Sequence, residues 1–530
     1  MIKIYRLSNV KVSLDADFSN LEGVISKEVG ISKKNIFNCS LYKKSVDARK
    51  KNNVHFICTI DFDTTAMIKQ NNNLTEISGE KYTPPTGDLC KGQHIIVVGS
   101  GPAGLFCTLT LLKAGAKVTL LERGECVEQR TKDITEFQNS GKLNINSNIQ
   151  FGEGGAGTFS DGKLNTGIKN PRCRYVLEEL SKHCNAPDIL YDAKPHIGTD
   201  RLVLGVKSIR QEILNLGGVV LFSHRLVDID IKDNTVKGAV VSSPDGEKYI
   251  ECDKIILAIG HSARDTFYML YDKGFDMCQK PFSVGVRVEH PQTLIDKSQY
   301  GDAYIHPALA PADYKLSCHL EDGRGVYSFC MCPGGTVVPA ASEEGMICTN
   351  GMSVSKRNGE NANSALLVSV EPKDFESEHP LAGVEFQRKI ERDAFVSGGE
   401  NYSAPVQLVG DFLKNRTSKN FGKVKPSYLP NTKFVKLDEY LPDFVTKSLR
   451  LGIVEFGKKI RGFDMDDAIL TGPETRSSSP VRILRDEHLV SNIKGVYPCG
   501  EGAGYAGGIT SAAVDGIKVA ESIIENIKNS

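Results

Sequence analysis

The sequence predicts an α/β protein in which a parallel-sheet nucleotide-binding fold is split by an inserted β-rich α+β domain and preceded by a small α/β unit. Three observations lead there. Residues 94–123 run strand, glycine turn, helix, strand. A strand ending in glycine recurs at residues 254–260, and a third strand-to-glycine passage opens a helix near residue 509. Between these last two the chain turns β-rich, with strands expected at 282–288, 317–338 and 366–370 and helices at 386–395 and 437–459.

The first stretch specifies its own chemistry. Residues 95–98 are a short apolar run suited to a buried parallel strand. Gly99, Gly101 and Gly104 follow at the GxGxxG spacing. Gly99 serves the tight turn, Gly101 the approach of backbone to a pyrophosphate, and Gly104 the close packing of helix on strand. The helix N-terminus favours phosphate charge. Gly115 marks the helix end, and the second strand, 117–121, runs into Glu122 and Arg123, with Glu122 placed to accept from a ribose hydroxyl. Dinucleotide binding is therefore expected.

Composition narrows the class. With 530 residues the chain has room for two to four domains. Lys plus Arg and Asp plus Glu both number 65, so no bulk charge favours nucleic acid or an anionic membrane. No apolar run reaches transmembrane length, and the first residues lack a signal-peptide core. The 14 cysteines are scattered, many within apolar segments, which suits reduced thiols and a cytoplasmic setting. The expected organisation is an N-terminal α/β domain over 1–80, a Pro/Gly-containing linker over 81–92, the first part of the nucleotide domain over 93–275, the inserted domain over 276–484, and a C-terminal return over 485–530. A basic run at Lys43, Lys44, Arg49, Lys50 and Lys51 reads as a solvated face.

Three separated segments point to FAD rather than NAD. To the fingerprint are added KIILAIGHSAR, with Gly260 closing the strand, and GVYPCGEGAGYAGGIT, in which Gly500 and Glu501 follow a strand and Gly507, Gly508 and Ile509 open a helix. The first of these resembles the ATG-type motif of flavoproteins. The helix opening near Ile509 favours negative charge on a reduced flavin, an effect of about 0.5–2 kcal/mol. Glu501 stands where the wider superfamily carries Asp. No second GxGxxG with strand, helix and acid is found, so no dedicated nicotinamide domain is expected. NAD(P)H is expected, if used, as a transient electron donor.

The segments VVGSGPAGLF, FGEGGAGTFSDGKLNT, AIGHSARDT, PFSVGVRVEHPQ, YSFCMCPGGTVV, APVQLVGDFL, ETRSSSPVRI and PCGEGAGYAGGITSAAVDG resemble a bacterial family of FAD-dependent dehydrogenases, also described as NAD(P)/FAD-dependent oxidoreductases. The resemblance implies a discontinuous single-Rossmann FAD-binding fold and oxidoreductase activity. It implies no substrate.

Candidates for chemistry lie outside the fingerprint. The loop GTFSDGKL offers Ser160 for the cofactor and Lys163 for a flavin edge or substrate anion. In FSVGVRVEH, Val284, Val286 and Val288 share one strand face and Arg287 and Glu289 the other. Arg287 is a candidate to orient a carboxylate and His290 to donate a proton, against the alternative of a solvated sheet face. Arg476 and Arg482 among three serines suit a carboxylate or phosphate, against the alternative of a salt-bridged loop. Cys330 and Cys332 form a CxC for which packing beside the flavin pocket, a redox disulfide and metal binding all stand open, packing being the main expectation; no metal is assigned. The function expected is hydride transfer between flavin N5 and a small organic substrate. A flavin monooxygenase and a non-enzymatic FAD-containing binding protein are the alternatives.

Overall fold

The computed structural model describes residues 2–69, 72–79 and 81–529. Met1 and Glu80, the ends of the expected N-terminal unit, lie outside them. Five short strands form one parallel sheet, ordered Val496–Pro498, Lys254–Leu257, His94–Val98, Lys117–Leu121, Val219–Leu221. Stretches far apart in sequence thus share one sheet, which is the split α/β fold expected. These strands are apolar throughout because both faces are covered. Ile95, Val97, Val118 and Leu120 pack under the helices Pro102–Lys113, Thr199–Asn215 and Ile509–Lys528. Ile96, Val98, Ile255 and Leu257 face an antiparallel three-stranded sheet, Arg225–Lys232, Thr235–Ser243 and Gly246–Glu251. The fingerprint helix starts with Pro102 in its first turn, after Gly101. It stops at Ala114, where Gly115 takes the left-handed φ of 83°.

The inserted region is built on a seven-stranded sheet, ordered Ser317–His319, Gly325–Cys332, Asn361–Val370, Phe282–Pro291, Ile469–Glu474, Ala404–Leu408, Thr432–Phe434. Phe282–Pro291 lies in its middle and is buried over nearly its whole length, so neither face is solvated as the alternation had suggested. Val284, Val286 and Val288 pack with Leu449, Ile453 and Phe456 of the helix Asp443–Lys459. Arg287 turns to the opposite face and is buried there by polar partners instead of water. The run expected at 317–338 is three strands, the last of which, Thr336–Pro339, forms a separate hairpin with Thr349–Met352. Helices occupy Ala382–Gly398 and Asp443–Lys459; the start of the second expected helix is a 3₁₀ turn, Leu437–Glu439, cut off before Pro442.

The N-terminal chain folds as a four-stranded antiparallel sheet, ordered Ile36–Asp47, His55–Thr64, Lys3–Val12, Leu74–Glu76, with the helix Leu21–Val29 against it. Its basic run is not all solvated. The Lys44 backbone pairs with Tyr191 and Ala193 of the nucleotide domain at 2.6 and 2.8 Å, and the Lys51 ammonium donates to the Gln299 carbonyl. The connecting segment 81–92 is also fastened. Tyr82 donates to Glu521 at 2.6 Å, the Gly87 and Cys90 amides donate to Lys113 and Ala114 carbonyls, and Cys90 is fully buried. Among the described residues no helix is long and apolar enough to cross a membrane.

Candidate active site

A cleft opens where the parallel strands end at Val98, Leu121 and Leu257, the place where open α/β sheets take ligands. Gly99, Gly101, Gly260, Gly507 and Gly508 line it. What a Cβ would strike separates these glycines. At Gly101 the nearest protein atom is the Gly155 Cα at 3.8 Å, and at Gly260, Gly507 and Gly508 nothing lies within 4 Å. Their bare faces look into open space. Gly99, at φ 101°, would place a Cβ 2.3 Å from the Ala258 carbonyl oxygen, and Gly104 would place one 1.8 Å from that of Gly99. Those two glycines serve close packing, and Gly104 lies behind the wall. Two helix N-termini, at Pro102 and Ile509, open on the cleft, whose walls are thus fitted to a phosphate-bearing, extended ligand.

The loop at 152–157 closes over the fingerprint turn: the Gly154 amide donates to the Ser100 carbonyl at 2.9 Å, and a Cβ on Gly155 would lie 2.9 Å from the Gly101 Cα. Arg130 holds this loop. Its fully buried guanidinium donates to the carbonyls of Asn148, Ile149, Gly152, Glu153 and Gly155 at 2.6–3.2 Å. Burial lowers its pKa to about 10, still well above neutrality. Sequence reasoning missed Arg130, which sits in a polar helix, Val127–Ser140, and has no motif around it.

Glu122 lines the cleft but its carboxylate is already engaged. It accepts from the Ser100 amide (2.9 Å) and hydroxyl (2.7 Å) and from the Gly124 and Gly152 amides (2.9 and 3.1 Å). The expected acceptor for a ribose hydroxyl therefore acts here as the tie between three loops. Arg123, stacked 4.2 Å over Phe151 and paired with Asp265 at 2.7 Å, lines the same end beside His224 and Arg225. Further along, Ser160 and Glu501 reach the cleft, whereas Gly500 packs behind it, where a Cβ would meet that of Ala103 at 2.7 Å. Burial pushes the Glu501 carboxyl up to about 7, against the pull of Lys280. His261, 3.9 Å from Glu501, is pushed down to about 3 by burial and by Arg476 and Arg264, so its ring is neutral.

The facing wall comes from the seven-stranded sheet and its loops: Phe329, Cys330, Thr349, Asn350, Glu474 and Arg476, with Lys163 reaching in from the Gly-rich loop. Lys163 Nζ lies 3.0 Å from Asp161 and donates to the Met331 carbonyl. Burial is the largest single influence and opposes its charge, but Asp161 together with Cys332 and Cys330 holds its pKa above the usual lysine value.

Four sequence candidates stand differently from what was expected. Arg287 lies behind the wall, donating from Nε to Asn363 (2.9 Å), from Nη1 to both Glu474 oxygens (3.0 and 2.8 Å) and from Nη2 to the Cys330 carbonyl (2.6 Å). Arg476 lines the cleft but pairs with Glu391 through Nε (3.0 Å) and Nη2 (2.8 Å), and its Nη1 donates to Ser262 and Ser342. Both guanidiniums position protein carboxylates instead of presenting open donors to an anion. His290 shares the strand face of Val286 and Val288. Its Nε2 donates to the Phe463 carbonyl at 2.6 Å, and burial pushes it down to about 4, so it is a neutral core histidine away from the cleft. Arg482 is an exposed residue of the short strand Val481–Ile483, bonded to the Gly504 carbonyl at 3.2 Å, outside the cleft lining.

Cys330 lines the cleft and Cys332 lies fully buried behind it; both are free thiols. The pairing of Gly325–Cys332 with Asn361–Val370 slips between Phe329 and Cys332, a β-bulge in which Cys330 adopts the left-handed φ of 43°. For a side-chain-bearing residue that conformation costs about 1–2 kcal/mol.

Comparison with known proteins bears on each part. Residues 93–270 match the family described as pyridine nucleotide-disulphide oxidoreductase, residues 281–477 the family described as FAD-dependent protein, C-terminal domain-like, and residues 1–63 a domain of unknown function. An uncharacterised protein of Clostridium beijerinckii is 50% identical over 532 residues, covering 98% of each chain. Among solved structures, a flavin-dependent brominase triple mutant aligns over 82% of this chain and 81% of its own at 12% identity and a TM-score of 0.40. A geranylgeranyl bacteriochlorophyll reductase-like protein of Thermoplasma acidophilum aligns over 83% and 80% at 11% identity and a TM-score of 0.36. An FAD-complexed glycerol-3-phosphate dehydrogenase of Bacillus halodurans aligns over 82% and 64% at 12% identity and a TM-score of 0.37.

Proposed function

Because this chain belongs to a family of FAD-dependent oxidoreductases and takes FAD as its cofactor, we propose that it passes hydride between the flavin and a small organic substrate held against the wall of the seven-stranded sheet. The observation that carries this reading is the origin of the two walls. One is made of bare glycine faces and helix N-termini, suited to a dinucleotide. The other is made of side chains able to bind and orient a second molecule.

FAD, when bound, supplies two-electron hydride exchange. The residues of the chain do the rest. Gly101 and the N-terminus of Pro102–Lys113 give the pyrophosphate close approach and a favourable dipole. Gly507, Gly508 and the N-terminus of Ile509–Lys528 favour negative charge where a reduced flavin develops it. Glu501, with its carboxyl raised to about 7, holds or releases a proton near neutrality. Asn350 offers a hydrogen bond to a substrate, while Arg287 fixes Glu474 in the wall and Arg476 pairs with the buried Glu391 behind it. Among the described residues one parallel sheet carries a nucleotide-binding fingerprint, and NAD(P)H enters this proposal as a transient electron donor.

The test is anaerobic addition of NADH, NADPH and a panel of reduced metabolites to the yellow holoprotein. Bleaching of the flavin band by one of them, with the product oxidised by two electrons, is the expected result. A flavin that no nicotinamide or metabolite reduces, and that in its reduced form no oxidised metabolite reoxidises, contradicts the proposal.

A further inference from the structure

We propose that Cys330 and Cys332 are a redox-active dithiol, a second two-electron centre in the cleft that exchanges electrons with the flavin and with a low-molecular-weight disulfide. This rests on the flavoprotein reading above and deepens it by naming a substrate class.

Four observations converge on the pair. Among the described residues Cys330 is the cysteine that lines the cleft, and Cys332 is immediately behind it. The bulge holds Cys330 in a left-handed conformation that an L-residue adopts only when its surroundings impose it, and such positions concentrate at functional sites. Plain packing requires none of this, since an unbulged strand buries a CxC on one face at no conformational cost. The Cys332 thiol donates to the Cys330 carbonyl oxygen at 3.2 Å, which ties the two cysteines together across the bulge. Two cations, the buried Arg287 and the partly exposed Lys163, are anchored on the bulge itself. Arg287 Nη2 donates to the Cys330 carbonyl and lies 3.8 Å from the Cys332 Sγ, and Lys163 donates to the carbonyl of the intervening Met331.

The electrostatics make the pair unequal. The adjacent Cys332, with Lys163 and Arg287, holds the Cys330 thiol below its ordinary value, while burial and Asp161 oppose this. Glu474 and Glu501 also face the site as carboxylates, each raised to about 7 by burial, so their repulsion on a thiolate is greatest above neutrality. The adjacent Cys330 and burial raise Cys332. Cys330 is thus the more readily ionised, attacking sulfur and Cys332 the resolving thiol, the division of labour that thiol–disulfide exchange needs.

The exchange balances. The Cys330 thiolate attacks one sulfur of the external disulfide, whose S–S bond breaks to release one thiolate. Cys332 loses its proton and attacks the Cys330 sulfur, displacing the second thiolate, which takes up that proton. The external disulfide has gained two electrons, and the new Cys330–Cys332 bond has lost them. Reopening that bond to one thiolate and one thiol takes two electrons and one proton, which are the two electrons and one proton that the anionic reduced flavin gives up on oxidation.

The test is an anaerobic reductive titration of the holoprotein after treatment with diamide, with the peptide containing residues 330 and 332 weighed before and after. The wild type is expected to take up four electrons per flavin, and its peptide to become two hydrogens lighter on oxidation. Cys332→Ser is expected to take up two. A wild type that takes up two electrons with an unchanged peptide overturns the proposal, even if the variant fails to fold, and so does a Cys332→Ser protein that still takes up four. The prereduced wild type should be reoxidised by hydroxyethyl disulfide at least about ten-fold faster than Cys330→Ser; equal rates contradict the substrate class. A chain that binds no flavin counts against the preceding reading, while the peptide mass still judges the cysteine pair.

Discussion

Gly101 and Gly104 sit three residues apart in one motif and answer to different constraints. A Cβ at Gly101 meets only open cleft and Gly155, so Gly101→Val should fold with a melting temperature close to that of the FAD-free parent and carry no FAD. A Cβ at Gly104 collides with the Gly99 carbonyl, so Gly104→Ala should lose about 2–4 kcal/mol of stability in a denaturation experiment. If both variants lose stability equally, the division between cofactor face and packing face is wrong. The glycine pattern was legible in the sequence because its spacing is dictated by one turn of backbone. Arg130 was not, because its partners are five loop carbonyls that only the folded chain brings together. His290 was misread for a simpler reason: even-numbered residues of Phe282–Pro291 face the apolar core, so the parity that put Arg287 on the cleft side removed His290 from it.

Between elements, the helix Ala382–Gly398 grips Arg476, just past the strand Ile469–Glu474, and Arg264, the first residue of the helix Arg264–Asp272, through one carboxylate. Glu391 is fully buried and accepts from both arginines at 2.8–3.0 Å, which together hold its pKa below the usual carboxylate range. Neutralising it leaves two buried arginines with Glu343 as their one shared carboxylate, so Glu391→Gln should cost about 3–5 kcal/mol and loosen the Arg476 side of the cleft. The sign with pH follows from the lowered pKa. The stabilisation is fully present above the ordinary glutamate value and is lost as pH falls through the folded value. Denaturant midpoints of the parent should therefore decline in acid more steeply than those of Glu391→Gln; parallel curves contradict the assignment. Strands of the parallel sheet were readable as short apolar runs between glycines, because both their faces are covered. The order of the seven-stranded sheet was not readable, since it joins segments as distant as 287 and 471 through pairing that leaves no local mark. The polar helices Val127–Ser140 and Arg172–Cys184 also escaped notice, having few apolar positions to set a period.

At the scale of the whole molecule, the segment 81–92 is a strap across the nucleotide domain rather than a loose connector, because Tyr82 and Cys90 are pinned to its helices. A chain beginning at Lys81 should remain soluble and yellow. One beginning at Gln93 gives up the burial of Tyr82, Leu89 and Cys90 and should melt lower, by the equivalent of about 2–4 kcal/mol. If the longer of the two is insoluble or colourless, the N-terminal unit is part of the core. The cleft is lined by Arg123 and Phe151 from the nucleotide domain and by Cys330 and Glu474 from the inserted sheet, so a bound cofactor would touch both parts of the chain. The most direct test is therefore to denature the purified yellow protein and identify and count what it releases by mass. The account predicts FAD, noncovalently held, at one per chain. Release of FMN, flavin left bound to the denatured polypeptide, or no flavin after reconstitution with FAD would contradict it.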